Sequence, residues 1–145
     1  MVAVPVSSIL IGYDGTEHSD RALERAKSYG RALGARLVVV TVAYPVAPIA
    51  GAADVVAPVA IDDAVAEAQA DADRVMARAR SRVDEAEFVT RLGDAADAIL
   101  EFAEENDIDL IVVGTHEPGF FERLFKGSVS QAVARRAPCD VLVVR

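Results

Sequence analysis

The chain has no tryptophan, one cysteine, two histidines and only three tyrosines and five phenylalanines in 145 residues, and each scarcity closes off a class of function. So few flat rings leave little surface on which a run of nucleobases could stack. Cys139 has no partner for an internal disulfide, so it reads as a small buried strand residue in a reducing compartment. His18 and His116 stand in separate loops with no third ligand at metal spacing, which makes them solvent-exposed loop residues and no metal site. Basic residues are outnumbered fifteen to twenty-three, and a formal net charge of −8 repels nucleic acid and anionic membrane at long range. No apolar run approaches the eighteen or so residues of a membrane span, and Met1 to Val6 lacks the basic start of a secretory signal, so the cytoplasm is expected. There is no Walker loop, because Lys126-Gly127-Ser128 inverts the Gly-Lys-Ser order, and no G-x-G-x-x-G follows a strand.

What is present is an Ala- and Val-rich chain of a length that suits one domain, 1–145, able to bury roughly two thirds of its unfolded surface. Val6 to Tyr13 is β-rich and ends in the turn signature Asp14-Gly15-Thr16. From Thr16, apolar residues through Leu33 recur at helical spacing until Gly34 caps the segment. Leu37 to Val42 is an uninterrupted strand, as burial on both faces requires. Tyr44 to Ala60, with three prolines, reads as a long loop, more mobile than partner-binding. A helix is expected over Asp62 to Arg82 with Ile61, Val65, Ala68, Ala72, Val75, Ala79 and Val83 inward. Its early carboxylates and its late Arg74, Arg78, Arg80 and Arg82 complement the helix dipole, so the arginines read as helix-end charges. Phe88 to Leu92 has the polar alternation of an edge strand, and Asp94 caps the helix that ends at Asn106. Ile108 to Gly114, a helix over Ser128 to Ala137 and a strand from Cys139 to Arg145 complete the chain.

Five strands alternating with four helices call for a doubly wound parallel sheet with helices on both faces; alternation alone permits the orders 3-2-1-4-5 and 2-1-3-4-5. The stretch from Asp109 to Val129 is a strand, a glycine-punctuated loop and a helix start. Such a start presents free N–H groups and roughly half a positive charge, for which phosphate is the natural guest. Gly114 and Gly127 lack a Cβ that would hold a phosphate off and are free to take positive φ. Ser128 can offer hydroxyl and amide, or cap the helix in a box with Gln131; Val129 and Ser130 add first-turn amides.

Gly114, Gly127 and Ser128 fall on the spacing G-x-x-G-x9-G-[ST], and here the chain resembles the universal stress proteins. Ile9-Leu-Ile-Gly-Tyr-Asp14-Gly-Thr-Glu-His-Ser19 is similar to that family's strand and D-G-S-x-x-S turn, and Ala137-Pro-Cys-Asp-Val-Leu-Val-Val144 to its closing strand. The resemblance implies the order 3-2-1-4-5, with Asp14 and Gly114 at the strand ends flanking the switch point where ligands of such sheets bind. It implies an ATP or related adenine-nucleotide site at Gly12, Asp14, Val42, Gly114, Thr115, Gly127, Ser128, Val129 and Ser130. Mg²⁺ would come with a triphosphate, and the last strand would make a homodimer. A binding module that changes loop conformation with occupancy is expected, with no efficient enzyme activity.

The second family glycine is Glu117 here. A carboxylate about 4 Å from a phosphate costs roughly 1 kcal/mol per charge pair in water and about 4 at a protein-surface dielectric, unless a metal intervenes. Pro118 pushes position 117 toward extended geometry, so the loop is expected to differ locally from ATP-binding relatives, with Gly119 taking the turn and Phe121 and Leu124 keeping the packing positions. Two alternatives follow. One is a nucleotide-free member of the same family acting through dimer and loop surfaces. The other is a phosphoacceptor signalling domain, poorly supplied because Asp14 lacks an acidic neighbour and Leu92-Gly93 stands where an aspartate is needed.

Overall fold

A computed structural model of the chain describes residues 5–45, 58–115 and 129–145. Along them run β1 (Ser8–Gly12), α1 (Glu17–Leu33), β2 (Arg36–Ala43), α2 (Pro58–Arg82), β3 (Glu87–Leu92), α3 (Ala95–Glu105), β4 (Leu110–Gly114), α4 (Val129–Arg136) and β5 (Asp140–Val144). All pairings are parallel and the order is β3-β2-β1-β4-β5, so of the two arrangements open to the alternation the chain adopts the one its resemblance implied. The three inner strands are apolar because both of their faces are covered. Ile9, Ile11 and Val39 feed one core with α1 and α2, while Leu10, Val38, Val40 and Ile111 feed a second with α3 and α4.

Local chemistry sets the helix ends. The Thr16 side chain accepts from the Ser19 amide and Asp94 from the Asp97 amide; Gly34, at φ 64°, closes α1 in the left-handed conformation that a side chain would disfavour. At the amino ends of β1 and β4, Asp109 accepts from the amides and hydroxyls of both Ser7 and Ser8, which pins the two central strands together.

Three expectations need correcting. The second helix begins at Pro58, four residues before Asp62, because proline's fixed φ suits the first helical position; Asp62 and Asp63 therefore lie beyond the first turn. Of the expected stripe, Ala68, Ala72, Ala79 and Val83 are buried, yet Met76 fills the position between and Ile61 is half exposed. Leu33 is likewise exposed, on the last turn of α1. Most of the 44–60 loop lies outside the described residues.

Candidate functional site

The chain leaves β1 toward β2 through α1 and leaves β4 toward β5 through α4, so a cleft opens beyond the carboxyl ends of the two central strands. Gly12, Asp14, Val42, Gly114, Val129 and Ser130, all expected site residues, line it together, with Val40, Ala95 and Ile99 as apolar wall. Gly127 and Ser128 lie outside the described residues, as do His116, Glu117, Gly119, Phe121 and Leu124.

The main chain sets what the cleft offers a ligand. Tyr13 donates its amide to the Val40 carbonyl at 2.9 Å, the last ladder bond from the β1 side, and Gly93 donates to the Ala43 carbonyl at 2.9 Å from the β3 side. Successive strand residues turn their N–H and C=O to opposite neighbours, so those of Val42 face the β1 side beyond the end of β1, into the cleft. Thr115 differs: its amide donates to the Val144 carbonyl at 2.9 Å and continues the β4–β5 ladder, so that donor is not available to a ligand.

Asp14 is first a turn former. Its Oδ1 accepts from the Thr16 amide at 3.0 Å and from the Thr16 hydroxyl at 2.6 Å, while Gly15 takes φ 81° between them. The side chain is exposed. Gly114 also has a role other than the one expected. It does not take positive φ, and a Cβ there would stand 2.6 Å from the main-chain oxygen of His18. The residue is glycine because the first turn of α1 rests on the end of β4. At Gly12 a Cβ would meet Ile99 Cδ1 at 2.8 Å, a side-chain tip that can yield. The His18 ring itself lies with Nδ1 2.8 Å from Arg21 Nη2.

Behind the Asp14 turn lies a polar cluster that the sequence reading missed. Asp20, on α1, is buried and accepts from the Tyr13 hydroxyl at 2.6 Å. Arg78 of α2 donates to both of its oxygens, and Arg82 stands 3.2 Å away. The two arginines are thus partners of a buried carboxylate and not only helix-end charges. Burial pushes the Asp20 carboxyl up, but hydrogen bonds from Arg78 and Tyr13 and the charges of Arg82 and Arg78 outweigh it and hold it below the ordinary value. The Tyr13 phenol is pushed up to about 12 by burial and by its bond to Asp20. The available signal was Asp20 three residues before Leu23, at the border of the inward stripe of α1, with Arg78 and Arg82 one turn apart on a later helix.

The parallel order and the cleft at its switch point define a doubly wound α/β domain. The chain belongs to the universal stress protein family, whose sequence model matches residues 5–145. It is 38% identical over 140 residues to the "Universal stress protein in QAH/OAS sulfhydrylase 3'region" of Thermus aquaticus, covering 95% of this chain and 98% of that one. Among solved structures it resembles a universal stress protein in complex with cAMP, at 30% identity and TM-score 0.63, over 96% and 97% of the two chains. The fold is also that of the universal stress protein from Archaeoglobus fulgidus in complex with dAMP, at 23% identity and TM-score 0.62, covering both chains fully at 100%. Among the described residues no helix is long and apolar enough to cross a membrane.

Proposed function

We propose that the cleft binds an adenine nucleotide, ATP with Mg²⁺ included, and that the protein is a cytoplasmic stress-response binding module and not an efficient enzyme. The observation that carries the reading is the N–H and C=O pair of Val42 facing an apolar cleft. Adenine presents an acceptor beside an amino donor on its Watson–Crick edge, the complement of one strand residue's N–H and C=O; guanine presents the reverse. Val40, Ala95 and Ile99 supply the apolar faces between which the base lies. The first turn of α4, at Val129 and Ser130, lies on the same cleft, where amides and the helix dipole suit phosphate; Gly127 and Ser128 lead into it. The exposed carboxylate of Asp14 would share a Mg²⁺ with the phosphates, the ion neutralising like charges. The relative that binds cAMP supports the same class of ligand.

Occupancy would change the conformation of the loop between β4 and α4, which is the switch. β5 lies at an open sheet edge with Val143 exposed, and pairing of two such edges makes the homodimer we infer; sedimentation equilibrium would show a dimer in wild type and a monomer in Val143→Lys. A dimer unmoved by that change would place the interface elsewhere.

The deciding experiment is chromatography of the supernatant after acid denaturation of freshly purified protein, followed by calorimetric titration with ATP and Mg²⁺. Stoichiometric adenine nucleotide, or saturable binding, is expected. No binding by the wild type but binding by Glu117→Gly would instead support the nucleotide-free reading, in which the carboxylate at 117 closes the site; failure of both proteins to bind would sink the adenine reading.

A further inference from the structure

The turn on the β1 side of the cleft, Asp14 to Ser19, runs from an exposed carboxylate to a buried serine, and one stretch of α2 meets it from behind at two points. Gly15 sits against Val75: a Cβ there would lie 3.3 Å from Val75 Cγ2. One turn further along α2, Arg78 reaches the buried carboxylate of Asp20, and Arg82 reaches it from the next turn. Asp20 in turn holds the hydroxyl of Tyr13, the residue that precedes Asp14. Positions 75, 78 and 82 are spaced by three and four, so they share one face of α2. Asp20 also donates its amide to the Thr16 carbonyl, which makes it part of the first turn of α1 as well as the anchor for α2.

We infer that this face of α2 is a positioning element for the ligand site: Val75 and Arg78, acting through Gly15 and Asp20, hold the Asp14–Ser19 turn in its cleft-forming shape, although neither residue lines the cleft. Apolar packing of α2 on β2 does not by itself accomplish this, because Ala68 and Ala72 cluster with Ala43 of β2 and not with the turn. The Arg78 guanidinium can satisfy both carboxylate oxygens at once, and that fork fixes the rotation of the Asp20 side chain, which a single ammonium donor would not. Loss of the fork therefore frees the turn while the sheet stays intact. The consequence for nucleotide affinity rests on the function proposed above; the order of the turn does not.

The test is residue-resolved amide hydrogen exchange on Arg78→Met, compared with wild type brought to the same global stability with urea, so that a merely structural loss is matched. Amides of Ser19 and Asp20 are expected to exchange about tenfold faster in the variant, while those of Ile11 and Val112 exchange alike in both samples. Arg78→Lys should fall between, because it keeps the charge but loses the fork. Equal rates at Ser19 and Asp20 in the matched samples would overturn the inference. Titration with ATP and Mg²⁺ gives a second reading, in which affinity falls about tenfold in Arg78→Met relative to wild type. Unchanged affinity with a tight-binding wild type counts against the positioning role. A wild type that binds no nucleotide defeats the functional proposal alone and leaves the exchange result to decide this one.

Discussion

The two faces of the sheet are held in different ways. On the face covered by α1 and α2, an apolar core of Ile9, Ile11, Val39 and Met76 surrounds a buried carboxylate gripped by a phenol and two guanidinium groups. The face covered by α3 and α4 is apolar throughout its core, from Leu10 and Val40 to Ile99, Phe102 and Val133. Ile99 and the first turn of α4, on that second face, line the cleft, while the charged cluster braces the opposite wall from behind. Apolar packing is non-directional and suits the wall against which the flat base proposed above would lie. Charged hydrogen bonds are directional and suit a turn whose backbone must hold one shape.

If this division is right, substitutions on the two faces differ in their pH response as well as in size. The largest effect is expected for Ile99→Ala, which empties a fully buried position beside the cleft and should cost about 3–4 kcal/mol, with little dependence on pH. Asp20→Asn should cost less, about 2 kcal/mol at neutral pH, because it keeps the shape but removes the charge that Arg78 and Arg82 complete. Its cost should shrink in acid. A carboxyl held below its ordinary value contributes stability that is present above 3.8 and lost as pH falls through its lower folded-state value, so the variant and wild type converge below that point. Urea unfolding at pH 7 and near pH 3 reads both. A pH-independent cost for Asp20→Asn would erase the contrast between the faces. Wild type and variant both keep some acid sensitivity from Asp109, whose carboxyl is also held low, by the Ser7 and Ser8 amides and hydroxyls.

What could be read from the sequence follows the same division. Uninterrupted apolar strands such as Leu37 to Val42 and caps such as Thr16, Gly34 and Asp94 are local signals, so the five strands, four helices and most of their ends were legible. The strand order was legible only through the resemblance. Asp14 and Gly114 could be named because a switch point picks out strand ends without needing side-chain detail, Gly12 and Val42 only through the resemblance, and all four line the cleft. What failed depends on partners far along the chain. Asp20 and Arg78 are 58 residues apart, and nothing local marks a carboxylate at the border of an apolar stripe as paired. Gly114 was identified, but its reason, the His18 carbonyl packed on it from almost a hundred residues earlier, is visible only once the sheet is folded. That the Thr115 amide is taken up by the β4–β5 ladder is visible only once β5 is laid beside β4. Pro58 read as a loop residue because proline marks breaks and helix starts alike.

The smallest effect, and the sharpest probe of the charged face, is Tyr13→Phe. The change removes one hydroxyl from a buried ring and leaves Asp20 its two arginines, so the cost at neutral pH should be about 1 kcal/mol. The direction of its pH dependence is opposite to that of Asp20. The phenol's folded-state value is raised from 10.0 to about 12, so the folded protein keeps its proton where the unfolded chain has lost it. The resulting stability is fully present below 10 and is lost as pH rises from 10.0 to about 12. A difference of that size corresponds to on the order of 3 kcal/mol across the window, and the variant's phenyl ring has no proton to lose. Wild type should therefore lose its advantage over Tyr13→Phe within that alkaline range and fall below it at the upper end. Stability curves that stay parallel from pH 9 to pH 12 would mean that the hydroxyl is not tied to Asp20, and the brace behind the Asp14 turn would then rest on α2 alone.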